Sequence, residues 1–295
     1  MSETPSALRG HAAMLLFSSL IAGSFSLGSM ASPYIEPGPL NTVRFLLAAI
    51  VSAGVAAAMG KLPRSTFQAS WRYLILGGIF VIYFMTMFEA LKTVSAVSTS
   101  AVFTLTPLMS AVIGRVLLGQ SMNPRVVTAL LIGAIGALWV IFRADLQAFL
   151  SFDVGKGEML FFVGCAAHAF YPAATRAFNR GESAMAVNAG MLAAGFLMLL
   201  VFNWSSIMAT DWANMPNIVW ITIFYTSFFS GVTTFTLLQF AAMRLPGAKV
   251  MAYTYLVPSW VLVWQVFLGN GFPPTILLVG IGVTIIALLM LLRDD

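Results

Sequence analysis

The sequence predicts an all-α polytopic membrane protein with ten transmembrane helices, arranged as two inverted repeats of five helices each. Three observations support this fold class. Of the 295 residues, 60% are hydrophobic and only 8% are charged, whereas an ordinary soluble domain has about 25% charged residues. The apolar residues fall into runs of about 20, the length of a membrane-spanning helix. In addition, one helical segment and the turn after it occur twice.

Ten apolar runs are each long enough to cross a hydrocarbon core of roughly 30 Å, since a helix rises about 1.5 Å per residue. We expect helices over residues 11–33, 38–59, 71–92, 95–117, 124–142, 155–176, 184–203, 217–241, 247–268 and 273–292. The longest polar connector, residues 143–157, lies between the fifth and sixth helices. It predicts a first repeat over residues 1–145 and a second over residues 146–295.

The repeated segment includes the fourth helix of each half. Residues 105–124 read LTPLMSAVIGRVLLGQSMNP, and residues 256–274 read LVPSWVLVWQVFLGNGFPP. Each has a proline, Pro107 or Pro258, within an apolar run. Because proline removes an intrahelical hydrogen bond, we expect a bend in both helices. The bends either move during gating or only shape the bundle.

The lysines and arginines are distributed unevenly between the two sets of helix ends. Eleven of the 15 fall at one set, three (Lys92, Arg143 and Lys156) at the other, and one lies within the second helix. Positive charge concentrates in cytoplasmic loops, so both termini are expected in the cytoplasm. Five spans end on the side opposite to their start, so the second repeat must be inverted. Inverted repeats are typical of secondary transporters, whose substrate site lies between the repeats.

Ionisable side chains within the predicted helices are candidates for the substrate path, because each costs about 3 kcal/mol in hydrocarbon unless it is paired or hydrated. Arg44 and Glu89 lie near the outer ends of helices 2 and 3. An Arg44–Glu89 pair, a Glu89–Lys92 pair or snorkelling would explain them without a substrate. His168 lies near the middle of helix 6, where the repeat alignment places it opposite Gly23. It either bonds a backbone carbonyl or lines the path as a pH-sensitive group.

Aromatic and hydroxyl side chains recur in helices 3, 4, 6, 8 and 9. They predict a cavity that suits amphipathic organic molecules rather than bare ions. The candidate substrate-binding residues are Tyr83, Met87, Thr99, Phe103, His168, Tyr171, Thr234 and Trp264. Thr99 and Phe103 share a helix face with Thr106, and Pro172 predicts a bend beside Tyr171. For any one of these aromatic residues, lipid contact or core packing is the stronger explanation, so the prediction rests on the set as a whole.

Several function classes lack their sequence signatures. There is no G-x-x-x-x-G-K-[ST] phosphate-binding loop and no H-E-x-x-H motif, and the chain has only two histidines and one cysteine, Cys165. We therefore expect no enzyme activity, no metal and no cofactor. The net charge of +5 is explained by cytoplasmic loops, so the expected partners are the lipid bilayer and a small-molecule substrate, with no nucleic acid. A monomer suffices for such a site, and the oligomeric state is left open, as is a non-transporting scaffold role.

The paired segments resemble the EamA repeats of the drug/metabolite transporter superfamily, and the resemblance covers nearly the whole chain. That family usually ends the motif in Leu-Gly-Glu, where this chain has Gln120 and Asn270. More narrowly, the sequence resembles bacterial aromatic amino acid exporters of the YddG type. This resemblance implies export of aromatic or neutral amino acids, or related small metabolites, across the bacterial inner membrane by alternating access. A multidrug or other metabolite exporter or exchanger of the same fold is the alternative.

Overall fold

The computed structural model of the protein describes residues 5–61, 68–119, 123–150, 154–178, 180–242, 244–245, 247–272 and 274–292. All regular structure within these ranges is helical. Eight helical spans in these ranges are long and apolar enough to cross a membrane, and a shorter apolar helix covers Leu277–Leu292. Three of the eight spans, Ala96–Leu117, Asn217–Leu238 and Lys249–Phe267, each run through two of the helices named below. The helix Lys156–Phe178 has 23 residues and is not among the eight. These findings confirm the predicted all-α polytopic membrane fold.

The described residues of the first half form six helices. They are α1 (Pro5–Ala31), α2 (Pro37–Ala58), α3 (Trp71–Ala90), α4 (Ala96–Phe103), α5 (Thr106–Leu118) and α6 (Pro124–Ile141). Proline begins α2 and α6, a position where its missing N–H would have no helical partner in any case. The side chains of Ser95 and Asn123 accept hydrogen bonds from the first turns of α4 and α6 and thereby fix where those helices start.

In the part of the second half that the structure describes there are nine helices. They are α7 (Leu146–Leu150), α8 (Lys156–Phe178), α9 (Ala184–Phe202), α10 (Trp204–Ala209), α11 (Asn217–Ser227), α12 (Thr234–Ala242), α13 (Gly247–Ala252), α14 (Val257–Phe267) and α15 (Leu277–Leu292). A π-helical turn, Phe228–Thr233, joins α11 to α12, and a 3₁₀ turn, Tyr253–Leu256, joins α13 to α14. The short helices α7 and α10 were not predicted, because hydrophobic periodicity needs a longer window.

The fourth and ninth predicted helices are each broken into two. A turn separates α4 from α5, and Pro107 then lies in the first turn of α5. Likewise Pro258 lies in the first turn of α14, after the 3₁₀ turn. The predicted bends are therefore breaks, since proline is accommodated at the start of a helix. As a consequence Thr106 is not in the same helix as Thr99 and Phe103, and the expectation of one shared face was wrong for it.

One further helix differs from the prediction. The eighth run, residues 217–241, is not a uniform helix, because the π-helical turn Phe228–Thr233 interrupts it. Helix α8 continues through Pro172, and the bend expected there stays a prediction. The motif residue Gln120 lies outside the described residues.

The helices that pack between the two halves are related in pairs, so that each contact has an equivalent in which the two halves change roles. Helix α2 packs on α9 and α6 packs on α15, and each of these pairs joins equivalent helices of the two halves. Helix α3 packs on α8, and in the same way α11 and α12 pack on α1. Two halves related by a twofold axis have this contact pattern, and it agrees with the inverted arrangement. The exact division at residue 145 stays a prediction.

The start of α1 and the end of α15 lie on one side of the bundle. Leu292 packs in a cluster with Met14, Leu245 and Val250. We call this side the terminal face and the opposite side the distal face. Helices α2, α8 and α11 begin at the distal face, because each follows a connector on that side.

Candidate functional site

A cluster of aromatic rings from α3, α4 and α8 surrounds His168. The ring centroid of His168 lies 4.7 Å from that of Tyr83, 5.4 Å from that of Phe80 and 5.9 Å from that of Phe103. Tyr171 stacks at 6.3 Å from His168 and lies edge-on to Phe80 at 4.8 Å. We call these five residues the aromatic cage. Four of them were predicted as substrate-binding residues, and the structure brings all four together.

The helical period places these rings on facing surfaces. Phe80 and Tyr83 are three residues apart on α3, and His168 and Tyr171 are three apart on α8, so each pair shares one helix face. Gly164, one turn before His168, lets α3 approach closely, since a Cβ there would overlap the hydroxyl of Thr86 and lie 3.2 Å from the Cβ of Thr86. Sequence reasoning missed Phe80, although its spacing from Tyr83 carried the signal.

His168 is the polar member of the cage with an unmet hydrogen-bonding capacity. Its Nδ1 atom is buried and has no hydrogen-bond partner among the described residues. The expected bond to a backbone carbonyl is therefore absent at Nδ1 in this part of the chain. Buried polar atoms are normally satisfied, and an exception needs an explanation such as a ligand.

Arg44 of α2 lies at the edge of the cage and is only 3% exposed. Its guanidinium carbon lies 3.8 Å from the centroid of the Phe84 ring, and Phe84 in turn contacts Tyr83 at 4.8 Å. Nη2 donates a hydrogen bond to the carbonyl of Thr226 at 3.3 Å. Nη1 has no partner among the described residues. Arg44 thus places a buried positive charge beside the rings.

Of the two ion pairs that the sequence allowed for Glu89, the one with Arg44 does not form. Glu89 is exposed and contacts Lys92 at 3.1 Å, one helical turn away, while Lys92 also binds Glu36 at 2.5 Å. The reason is geometric, because Glu89 lies on the exposed side of the last turn of α3. The alternative Glu89–Lys92 pair is therefore the observed one, and Glu89 is remote from the cage.

Trp264 of α14 belongs to a second ring cluster, which packs against α1. Its Nε1 donates to the carbonyl of Ser19 at 3.0 Å, and its ring lies 5.6 Å from that of Tyr225. The hydroxyl of Tyr225 donates to the carbonyl of Leu20 at 2.9 Å, and its ring fills the space beside Gly23. The repeat position of His168 is therefore occupied in the other half by a tyrosine from a neighbouring helix. Trp264 does not join the cage.

The remaining predicted binding residues have satisfied or apolar surroundings. The hydroxyl of Thr99 donates to Ser95 at 2.9 Å, and that of Thr234 donates to Ser230 at 2.6 Å. Thr234 begins α12, which packs mainly on α1, so the structure does not bring it to the cage. Met87 is 1% exposed and packs in the same buried cluster as Tyr83 and Phe103. A substrate role for these three residues stays a prediction.

Glu158 is a buried acid that sequence reasoning missed. It lies in the first turn of α8 and is 3% exposed. The hydroxyl of Ser98 donates to its Oε1 at 3.2 Å, and the helix N-terminus favours its negative charge. In the sequence it adjoins the polar connector, so nothing marked it as buried.

A cleft of about 310 Å³ opens at the terminal face. It is lined by Gly60, Lys61, Gln68, Arg180, Gly181, Glu182 and Ser183. Arg72 of α3 bonds Glu182 at 2.5 Å and the carbonyl of Phe178 at 2.5 Å. The hydrogen bond from Arg72 holds the pKa of Glu182 below its ordinary value of 4.5. This ion pair joins the two halves of the bundle at the terminal face.

A multi-pass helical bundle with a buried ring-lined site between two similar halves has the architecture of a membrane transporter. Comparison with known families agrees. The chain belongs to the EamA-like transporter family, whose model matches residues 8–142 and again residues 155–293. Since this is a family of transporters, its membership points away from an enzyme.

The known relatives do not narrow the substrate. The chain is 24% identical over 259 residues to the "Uncharacterized transporter YyaM" of Bacillus subtilis (strain 168), covering 87% of this chain and 85% of that protein. A solved structure described only as "Crystal structure of protein" matches with a TM-score of 0.70 at 19% identity, covering 99% of this chain and 98% of that one. The latter likeness shows the fold. The narrower resemblance to aromatic amino acid exporters finds no support in these comparisons.

Proposed function

We propose that this transporter exports aromatic or other neutral amino acids, or related small metabolites, across the bacterial inner membrane by alternating access, with both termini in the cytoplasm. The observation that carries the proposal is the aromatic cage around His168. Aromatic rings attract one another at centroid distances of 4.5–7 Å in edge-on or offset arrangements. A solute ring inserted among Phe80, Tyr83 and Tyr171 would make contacts of this kind.

The polar groups around the cage match a neutral, hydrogen-bonding solute. The unpartnered Nδ1 of His168 offers one hydrogen bond, and Arg44 offers a buried donor at the edge of the rings. The exchanged contacts between the halves support alternating access, because either half can adopt the packing of the other. A single small molecule is the partner that this arrangement requires.

The buried Arg44 also weighs against the alternative functions. A multidrug exporter for organic cations would have to move a positive charge past a guanidinium that no described carboxylate neutralises, and like charges repel strongly where water is excluded. A nucleotide-sugar exchanger would need several cations for its phosphates, whereas the other basic residue of α2 and α3, Arg72, pairs with Glu182 at the terminal face.

Proteoliposomes test the proposal directly. Vesicles containing the purified protein are loaded with labelled tryptophan, phenylalanine or threonine, and the efflux of each amino acid down its outward concentration gradient is measured. We expect saturable efflux that is faster for the two aromatic amino acids than for threonine. Absence of saturable flux for all three, from vesicles whose protein is shown to be folded, would refute the substrate assignment.

A further inference from the structure

Arg44 is a buried cation without an acid to neutralise it. It is seven residues from Pro37, the distal start of α2, which places it about 10 Å below that face at a rise of about 1.5 Å per residue. Within the described ranges no carboxylate forms an ion pair with it, and its Nη1 atom has no hydrogen-bond partner. A charge at this depth is normally paired or functional. The guanidinium therefore needs a negatively charged group that the chain itself does not supply in the described residues.

Asn41 adds an acceptor beside this donor. It is 0% exposed and precedes Arg44 by three residues, so the two side chains share one face of α2. Its Nδ2 donates to the carbonyl of Pro37 at 2.8 Å, but its Oδ1 has no partner among the described residues. One face of α2 thus presents a cationic donor, the guanidinium of Arg44, and a neutral acceptor, the Oδ1 atom of Asn41. These two groups are complementary to a solute that carries both an anionic acceptor and a cationic donor.

The surroundings of Arg44 come from both halves of the bundle. Phe84 of α3 stacks under the guanidinium, and the carbonyl of Thr226 of α11 accepts a hydrogen bond from it. The neighbouring Ser227 shares its hydroxyl proton between the backbone carbonyls of Ile223, at 2.6 Å, and Arg44, at 3.2 Å. Directly after Ser227 the helix changes to the π-helical turn, a feature frequent at functional sites. The group thus lies where the halves meet and beside the aromatic cage.

We propose that Arg44 and Asn41 bind the head group of the transported amino acid. Arg44 takes the α-carboxylate and the Oδ1 of Asn41 takes the α-ammonium, while the solute side chain lies over Phe84 and toward His168. The planar guanidinium matches a carboxylate with two parallel hydrogen bonds. This assignment rests on the proposed function and specifies how the solute is recognised. Both residues are closed from solvent here, so the solute reaches them when the halves separate on one side.

A purely structural role would make different predictions. Arg44 could simply join α2 to α11 through the Thr226 carbonyl. Ser227→Ala provides the matched control, because it removes a neighbouring hydrogen bond between the same two helices and leaves the guanidinium untouched. If Arg44 only holds the helices together, substitution of Arg44 and substitution of Ser227 weaken the binding of every ligand alike. If Arg44 binds the carboxylate, substitution of Arg44 weakens only those ligands that carry a carboxylate, and Ser227→Ala weakens none of them.

The experiment measures ligand-induced thermal stabilisation of the purified full-length transporter in detergent. Three probes share one ring: L-phenylalanine, L-phenylalaninamide, which lacks the carboxylate, and 3-phenylpropionate, which lacks the ammonium. We expect L-phenylalanine to bind most tightly to the wild type. Arg44→Met should weaken the binding of phenylalanine and phenylpropionate by about 10- to 100-fold, the effect of losing charge-assisted hydrogen bonds, and leave the binding of the amide unchanged. Asn41→Leu should weaken the binding of phenylalanine and the amide. Ser227→Ala should leave the binding of all three probes unchanged.

Each outcome decides the assignment. Equal binding of phenylalanine and its amide to the wild type, or wild-type binding of phenylalanine by Arg44→Met, would overturn the head-group site and leave the proposed function standing. Binding of phenylpropionate alone, lost in Arg44→Met, would support the carboxylate site and contradict an amino acid substrate. No binding of any probe by folded wild type would contradict both. If Arg44→Met does not fold, Arg44→Lys keeps the charge without the planar fork and should show the same selective weakening.

Discussion

The closest approach of α6 and α15 gives a prediction that the structure makes quantitative. These helices touch backbone to backbone at Gly136 and Gly280. A Cβ at residue 280 would lie 2.7 Å from the carbonyl oxygen of Gly136 and 2.8 Å from Cγ2 of Val140, whereas ordinary contact begins at 3.4 Å. A backbone carbonyl cannot rotate away as a side chain does. Gly280→Ala must therefore push the two helices apart along the contact that joins the halves.

The expected cost follows from the size of this overlap. Inserting a methyl group into a packed contact costs about 1–3 kcal/mol, while alanine returns roughly 0.5–1 kcal/mol of helix preference relative to glycine. We therefore expect Gly280→Ala to lower the free energy of unfolding by about 1 kcal/mol after this offset, and by no more than roughly 2.5 kcal/mol. The measurement is equilibrium unfolding of the purified protein in mixed detergent micelles.

Gly282 provides the matched control on the same helix. A Cβ at this residue would meet nothing within 4 Å, so Gly282→Ala should be neutral or stabilising by up to about 1 kcal/mol. If Gly280→Ala is as stable as Gly282→Ala, the backbone contact between α6 and α15 does not exist as described. If both substitutions destabilise the protein equally, the loss of stability comes from replacing any glycine in α15 and not from the contact between Gly280 and α6.

Three further predictions concern the site and the terminal face. His168→Phe keeps a ring in the cage but removes Nδ1, so aromatic amino acid efflux from proteoliposomes should fall about tenfold, the effect of one lost hydrogen bond, while the folded fraction in size-exclusion chromatography is unchanged; a wild-type rate would contradict the role of Nδ1. Arg44→Met removes a buried charge that no described carboxylate neutralises, so the unfolding temperature of the variant without ligand should equal or exceed that of the wild type; a large decrease would indicate that Arg44 mainly stabilises the fold. Because Arg72 lowers the pKa of Glu182, the stabilisation from this pair is present at neutral pH and is lost as pH falls below 4.5 and through the lowered pKa. Glu182→Gln should therefore remove that part of the pH dependence of thermal stability. An unchanged pH profile in the variant would show that this ion pair does not contribute to stability.

Much of the fold was predictable because the bilayer constrains it strongly. Hydrocarbon thickness sets helix length, and backbone groups must be satisfied within each helix. The ends of α1 and α3, at Ala31 and Ala90, accordingly fall within two residues of the prediction. The breaks before Pro107 and Pro258 could not be distinguished from bends, since this depends on whether the preceding turn remains helical. The π-helical turn has no comparable signal in the sequence.

The candidate site was predictable only within each helix. The spacing of His168 and Tyr171, or the position of Tyr83, follows from the helical period, so those residues were found. Which residues meet across helices depends on helix rotation and crossing angle. For this reason the sequence allowed Arg44 to pair with Glu89, whereas the structure stacks it on Phe84 and leaves its charge unneutralised by the described residues. The same limit placed Trp264 with the cage, although it contacts α1.

The proposed transport function depends on whether the aromatic cage binds an aromatic amino acid. The most direct measurement is the initial rate of labelled phenylalanine efflux from proteoliposomes containing equal amounts of folded wild type or His168→Phe. We predict saturable efflux for the wild type, competed by excess tryptophan, and a rate lower by about tenfold for the variant. Saturable efflux that is equal in both proteins would place the solute elsewhere in the bundle, and efflux from wild-type vesicles no faster than from protein-free vesicles would contradict amino acid transport.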